Sequence, residues 1–215
     1  MLEEIRSARL EKLKHLRSAG MEPYPSDTKR THTIAETHAD FSPLAESKQH
    51  ISIAGRVRAL RGHGGSAFLD MDDGSGLLQV FAKEDVMGKD AYDFFMSVID
   101  IGDIIECAGT LFTTKKEEQT LEIAEWRMLA KSILPLPEKW HGLEDPETRY
   151  RKRYLDIMFH PEVRELVEKR ARFWKSMRLF LEERGFLEVE TPVLETTTGG
   201  ADARPFITHY NALDI

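Results

Sequence analysis

Apolar positions recur at two different periods along this chain, and the change between them divides it. Residues 2–19 place Leu2, Ile5, Leu13 and Leu16 on a partial stripe at helical spacing, and Gly20, Pro23 and Pro25 close the segment. The pattern predicts a surface helix packed on a neighbour. Residues 26–49 show no strong period and read as a linker with one short helix at most. From residue 50 the period drops to two. HISIAGRVRALR alternates, with Ile51, Ile53 and Val57 on one side and Arg56 and Arg58 on the other. After the turn GHGG come the strand AFLDM, the turn DDGSG and the strand LLQVFAK. Residues 89–99 predict a short helix, DIIECAGTLFTT a fourth strand, KKEEQ a charged hairpin loop and TLEIAEWRML a fifth strand.

Three strands, a helix and two more strands in about 80 residues is the element order of a five-stranded OB barrel. SH3-like barrels are the main competitor, but they rarely carry a helix between the third and fourth strands. The Pro-punctuated stretch 134–145 marks a boundary. Beyond it the helical period returns over about 161–184, where Val163, Val167, Trp174, Met177 and Leu181 form the apolar stripe. Gly185 ends this helix, and FLEVETPVL, 186–194, predicts a strand closed by Pro192. The expected organisation is an N-terminal helix and linker over 1–49, a barrel over 50–135, a hinge over 136–160 and the beginning of a further domain over 161–215.

Composition narrows the classes of function. The net charge of −7 argues against non-specific coating of phosphates. The barrel segment carries 9 basic and 14 acidic side chains, so nucleic-acid contact there requires a local patch and base recognition. No run of eighteen apolar residues and no leader-like segment occurs, so neither a membrane span nor secretion is expected. The single cysteine, Cys107, lies in an apolar strand and reads as a buried small hydrophobe. The eight histidines are scattered without ligand spacing, which predicts no metal site.

Strand parity then proposes a face. Phe68 points out of the second strand, Gln79 and Phe81 out of the third, and Arg56 and Arg58 out of the first, with Arg61 near its end. An exposed aromatic offers a stacking platform, Gln hydrogen-bonds a base edge, and arginines hold phosphates. The alternative is that the N-terminal helix covers the two phenylalanines and the arginines are merely solvated. The glycine-rich stretches GHGGS and DDGSG lack the features of phosphate loops and read as turns. The basic run RYRKRY, 149–154, reads either as an RNA-backbone contact or as ion pairs with Glu144, Asp145 and Glu147.

The later segments carry a family resemblance. Residues 184–194, RGFLEVETPVL, resemble motif 1 of the class II aminoacyl-tRNA synthetases. TTTGGADARPFITHYNALD, PLPEKWHGLEDPETRYRKRYLD and LEKLKHLRSAGMEPYP are each similar to the lysyl-tRNA synthetase family, and the resemblance runs from about residue 3 to residue 215. It implies an OB-fold anticodon-binding domain followed by the start of a class II catalytic domain. The partner it implies is lysine tRNA, gripped at the anticodon, with Phe68 stacking on a base, Gln79 hydrogen-bonding it and Arg56 at a basic contact position. Glu125 matches a further contact, although its parity puts it with Leu121 and Ile123 unless a bulge intervenes. Gly200 would line a lysine pocket. Motif 1, including Gly185 and Pro192, would build a homodimer interface. The family's reaction uses ATP and Mg2+ in the cytoplasm to form lysyl-adenylate and transfer lysine to tRNA. Motifs 2 and 3 are not in these residues, so no catalytic side chain is expected within the chain and no activity from it alone, and a continuation past Ile215 is expected. The competing readings are a free-standing OB module for RNA or single-stranded DNA and a dimerisation fragment.

Overall fold

The computed structural model describes residues 2–137, 143, 145–194, 204 and 206–214. They fall into two compact units, divided between residues 139 and 140. The first unit begins with α1, Leu2–Ser18, and two short helices, α2, Ile34–Ala39, and α3, Phe41–Glu46. Next come β1, Ile51–His63, β2, Ser66–Asp72, and β3, Leu77–Lys83. The helices α4, Glu84–Met87, and α5, Lys89–Val98, lead to β4, Ile104–Thr113, and β5, Gln119–Ala130. The second unit contains α6, Pro146–Arg151, α7, Arg153–Phe159, and α8, Pro161–Glu182.

The five strands close into a barrel in the order β1-β2-β3-β5-β4, with β3 and β5 parallel and the other pairs antiparallel. This is the OB fold expected from the element order. Alternation fills the interior with Ile53, Val57, Leu69, Met71, Val80, Cys107, Leu121 and Ile123, each fully buried. Helix α5 contributes Tyr92, Phe95 and Val98 to the same core. Each fully buried aliphatic or Phe side chain stabilises the fold by about 1.5–3 kcal/mol relative to exposure. Burial pushes the Cys107 thiol well above its usual range, which suits a core residue and not a nucleophile. At Gly109 the backbone of β5 passes so close that a Cβ would lie 1.8 Å from the Glu122 carbonyl oxygen.

Helix α1 docks differently from the expected stripe. Leu16 is buried, but Leu2 and Ile5 are exposed and Arg9 is buried in their place. The Arg9 guanidinium donates to the carbonyls of Ser132, Leu134 and Ile101, each at 3.0 Å. Three acceptors at one site make burial of this charge tolerable. Nearby, Lys131 Nζ is buried between Asp100 and Asp103, and Lys12 reaches Asp100 from α1. The linker region also holds more order than its weak periodicity suggested, because α2 starts on a capping box made by Thr33 and Glu36.

In the second unit, α8 ends as its sequence predicts. Gly185, at φ +81°, lets the Phe186 N–H reach the Leu181 carbonyl and its own N–H reach that of Glu182, the paired bonds of a Schellman cap. The strand expected over 186–194 is a correction. Those residues have no ladder partner among the described residues and belong to no sheet. Apolar alternation favours a strand only when another strand supplies its hydrogen bonds.

Candidate nucleic-acid interface

The outer face of β2 and β3 is set by their register. Phe68 stands opposite Phe81 and Asp70 opposite Gln79. The Phe68 and Phe81 rings stack with centroids 4.5 Å apart at 28°, and Phe81 meets Phe112 of β4 at 6.0 Å. This cross-strand stack holds the half-exposed Phe68 ring in a defined plane before any ligand arrives. Helix α1 packs instead against α5, with His15 edge-on to Phe94, so the covering of Phe68 by that helix does not occur.

Strand β1 completes the face through a feature that simple alternation misses. Its pairing with β2 shifts between Val57 and Ala59, leaving Arg58 as the extra residue of a bulge. Parity reverses beyond that point. Leu60 pairs with Leu69 and turns inward, while Arg61 pairs with Phe68 and turns outward. The Arg61 guanidinium makes a bidentate bond to Asp70, at 2.9 and 3.0 Å. Arg56, by contrast, pairs with Asp72 at the other end of β2, and its Nη1 donates to the Gly102 carbonyl at 2.7 Å. The structure therefore does not bring Arg56 to the Phe68–Gln79 patch, and Arg61 stands in that place.

Gln79 has its amide fixed at both ends. Nε2 donates to a Glu118 carboxylate oxygen at 2.5 Å, and Oε1 accepts from the Thr120 hydroxyl at 3.0 Å. Glu118 lies in the loop before β5, within the run read from sequence only as a charged hairpin. Glu125 lies elsewhere. A second bulge, between the pairs Ala108–Glu125 and Gly109–Ile123, does turn it outward, as the family match required. It is nevertheless five residues beyond Thr120 along β5, roughly 16 Å away. Glu118 is the acidic residue beside Gln79.

These groups line an open cleft of about 520 Å3 formed by His38, Arg61, Asp70, Leu77, Gln79, Glu118 and Gln119. Its size is that of a small-ligand pocket. With one cation against two carboxylates it is a poor phosphate site. It does present both fixed donors and a carboxylate acceptor, the chemistry that reads a neutral base edge, beside an aromatic platform. His38 was not anticipated from sequence. It enters because α2 is anchored over the β2–β3 turn, where the Ile34 N–H donates to Asp73 at 2.9 Å and the Ala35 N–H to the Ser75 hydroxyl at 3.0 Å.

The basic run 149–154 resolves toward ion pairing, with the expected Glu147 as one partner and Asp156 as a further one that was not expected. Arg149 and Arg153 converge on the buried Asp156 at 2.7 and 2.6 Å, and Arg151 pairs with Glu147. Burial pushes the Asp156 carboxyl up, but the two guanidiniums outweigh it and hold the group below the usual carboxylate range. Asp145 caps α6 by accepting from the Thr148 N–H. Gly185 caps α8 as described, Pro192 sits in the unpaired segment, and Gly200 lies outside the described residues. Among the described residues, no group of three or more His, Cys, Asp or Glu could hold a metal ion, and no helix is long and apolar enough to cross a membrane.

Comparison with known proteins agrees with the barrel fold. Residues 51–135 match the family described as OB-fold nucleic acid binding domain, and residues 145–214 match tRNA synthetases class II (D, K and N). The chain is 50% identical over 214 residues to the lysine–tRNA ligase of Carboxydothermus hydrogenoformans, covering 100% of the chain and 43% of that protein. It is 47% identical to the lysine–tRNA ligase of Thermoanaerobacter sp. strain X514, covering 100% of the chain and 42% of the relative. The ligase of Roseiflexus sp. strain RS-1 is also 47% identical, with 99% of the chain and 44% of the relative covered. The chain thus spans less than half the length of the curated relatives it matches, and the resemblance drawn from its sequence is borne out over that span.

Proposed function

We propose that this chain, homologous along its whole length to lysine–tRNA ligases, serves a lysine–tRNA ligase as its anticodon-reading part, with lysine tRNA as partner. The observation that carries the proposal is the convergence of Phe68, Arg61, Gln79 and Glu118 on one outer face of the barrel. A base stacks on Phe68. Glu118 accepts from a base N–H, while Gln79 and Arg61 donate to base carbonyls. A uracil edge, with one N–H flanked by two carbonyls, suits that set, in keeping with a UUU anticodon. Glu118 takes the acidic role that the family match gave to Glu125.

The whole reaction, formation of lysyl-adenylate from ATP and lysine followed by transfer of lysine to tRNA, belongs to the complete ligase in the cytoplasm. ATP and Mg2+ would supply activation of the carboxylate there. Among the residues described here, no group of three or more His, Cys, Asp or Glu could hold the Mg2+, and no chemical step is derived through them. Gly200 is proposed to line the lysine pocket. Gly185, Pro192 and the exposed apolar stripe of α8, with Val167, Trp174, Met177 and Leu181 each more than 40% exposed, are proposed to serve a homodimer interface.

The test is a fluorescence titration with an anticodon stem-loop carrying UUU, against one with the central U replaced, at several salt concentrations. Preference for UUU is expected, and affinity for both stem-loops should fall about five- to a hundredfold or more in Phe68→Ala, on the scale of a lost base–aromatic stack. Equal, steeply salt-dependent binding of both RNAs would point instead to a general single-strand module.

A further inference from the structure

His38 sits on the rim of the cleft with both ring nitrogens engaged. Nε2 is 2.9 Å from the Leu77 carbonyl oxygen, and Nδ1 is 2.5 Å from Oε1 of Gln119. The ring has little freedom to swing, because α2 is held to the β2–β3 turn by the Asp73 and Ser75 bonds and by Ile34, which is fully buried. A backbone carbonyl only accepts, so Nε2 carries a hydrogen in either charge state of the ring. Nδ1 then has two ways to satisfy its contact. As imidazolium it donates to Oε1, and the Gln119 amide turns its NH2 group to the cleft. As neutral imidazole Nδ1 offers only a lone pair. The amide meets it by rotating half a turn, so that NH2 faces the ring and Oε1 faces the cleft.

We infer that His38 is a positioning residue that sets the hydrogen-bonding polarity of Gln119, so that the cleft's choice among base edges depends on the ring's proton. This rests on the nucleic-acid reading above and adds to it a second, switchable amide. Gln79 has no such freedom, because Glu118 only accepts and so fixes which end of its amide is the donor. The charged groups facing His38 from other elements are Arg61, Asp70 and Glu118 across the cleft and Asp73 under α2. With His38 protonated, Gln119 donates and favours a keto edge such as uracil O4. With His38 neutral, Gln119 accepts and favours an amino edge such as cytosine N4. Histidine is the side chain whose charge ordinarily changes between about pH 5 and 8.

The experiment uses two readouts on the purified chain. The first is the ratio of affinities for stem-loops that differ by U→C at each anticodon position in turn, at about pH 5.5 and about pH 8. A ratio cancels the uniform gain in phosphate attraction that any new positive charge brings. At one position, preference for U over C should rise about two- to tenfold at the lower pH, the value of one net hydrogen bond. His38→Ala should abolish that change. Gln119→Leu should abolish it too while keeping the uniform rise in affinity at low pH. A change that survives in His38→Ala would assign it to Asp70, Glu118 or Asp73 and overturn the proposal, as would a wild-type ratio that does not move. The second readout is NMR of the free chain, in which the Gln119 side-chain amide should titrate together with the His38 ring. An amide that stays still through the His38 titration overturns the switch without reference to RNA. Absence of RNA binding at either pH would refute the nucleic-acid reading, and the NMR result would then decide the switch alone.

Discussion

The barrel unit and the unit after it were written with the same apolar-to-polar logic, yet they end differently. In the first, Ile53, Leu69 and Phe95 are fully buried, and even charged groups such as Lys131 and Asp103 have partners within the unit. In the second, α8 leaves Leu166 66%, Phe173 60% and Phe180 53% exposed. Its helix-surface ion pairs include the one-turn pairs Arg164–Glu168 and Lys169–Glu165. Such pairs contribute a few tenths of a kcal/mol each. Periodicity therefore identifies a face that will be covered, but not what covers it. The barrel supplies its own cover, whereas the apolar side chains of α8 stand exposed among the described residues, which is the basis for proposing this helix as an interface.

That contrast can be broken or sharpened by substitution. The largest effect is expected at Gly109→Val, where the new Cβ would collide with the β5 backbone. The barrel should fail to form, with loss of the cooperative melt by circular dichroism. Phe95→Ala should cost about 3–5 kcal/mol in urea denaturation, as a large cavity in a closed core does. Glu106 comes next. Burial pushes its carboxyl up, but Arg127, the Thr28 hydroxyl and the Lys29 N–H together hold it below the usual range. A depressed carboxylate contributes stability that is fully present above its unfolded value of about 4.3 and is lost as pH falls through the folded value. Glu106→Gln should thus cost about 1–3 kcal/mol at pH 7 and flatten the loss of stability below about pH 4.3. The smallest effect is expected at Trp174→Ala. At 46% exposure it should lower the unfolding free energy of this chain, measured by urea denaturation, by no more than about 0.5 kcal/mol. A large loss there would mean that α8 is covered within the chain after all.

Much of the barrel was legible because its strands alternate cleanly and its turns carry the residues their geometry requires. Phe68, Gln79 and Phe81 fall on one outer face by parity alone, since the β2–β3 pairing has no bulge. Parity failed where the count of residues is broken. The extra residue at Arg58 brings Arg61 to the face, and nothing in GRVRALR marks it. A side chain in a loop has no parity, so Glu118 was passed over although Gln79 holds it directly. The role of α2 was hidden for another reason. Its six residues are too short for a helical period, and its place is fixed by tertiary bonds from Asp73 and Ser75. The strand expected over 186–194 had the alternation, but pairing needs a partner as well as a pattern.

The most direct measurement of the central claim is chemical-shift mapping of the labelled chain on addition of a UUU anticodon stem-loop. The largest changes are expected at Arg61, Phe68, Gln79 and Glu118, with Glu125 and Arg56 little affected. Largest changes around Glu125 or Arg56, with the cleft undisturbed, would contradict it.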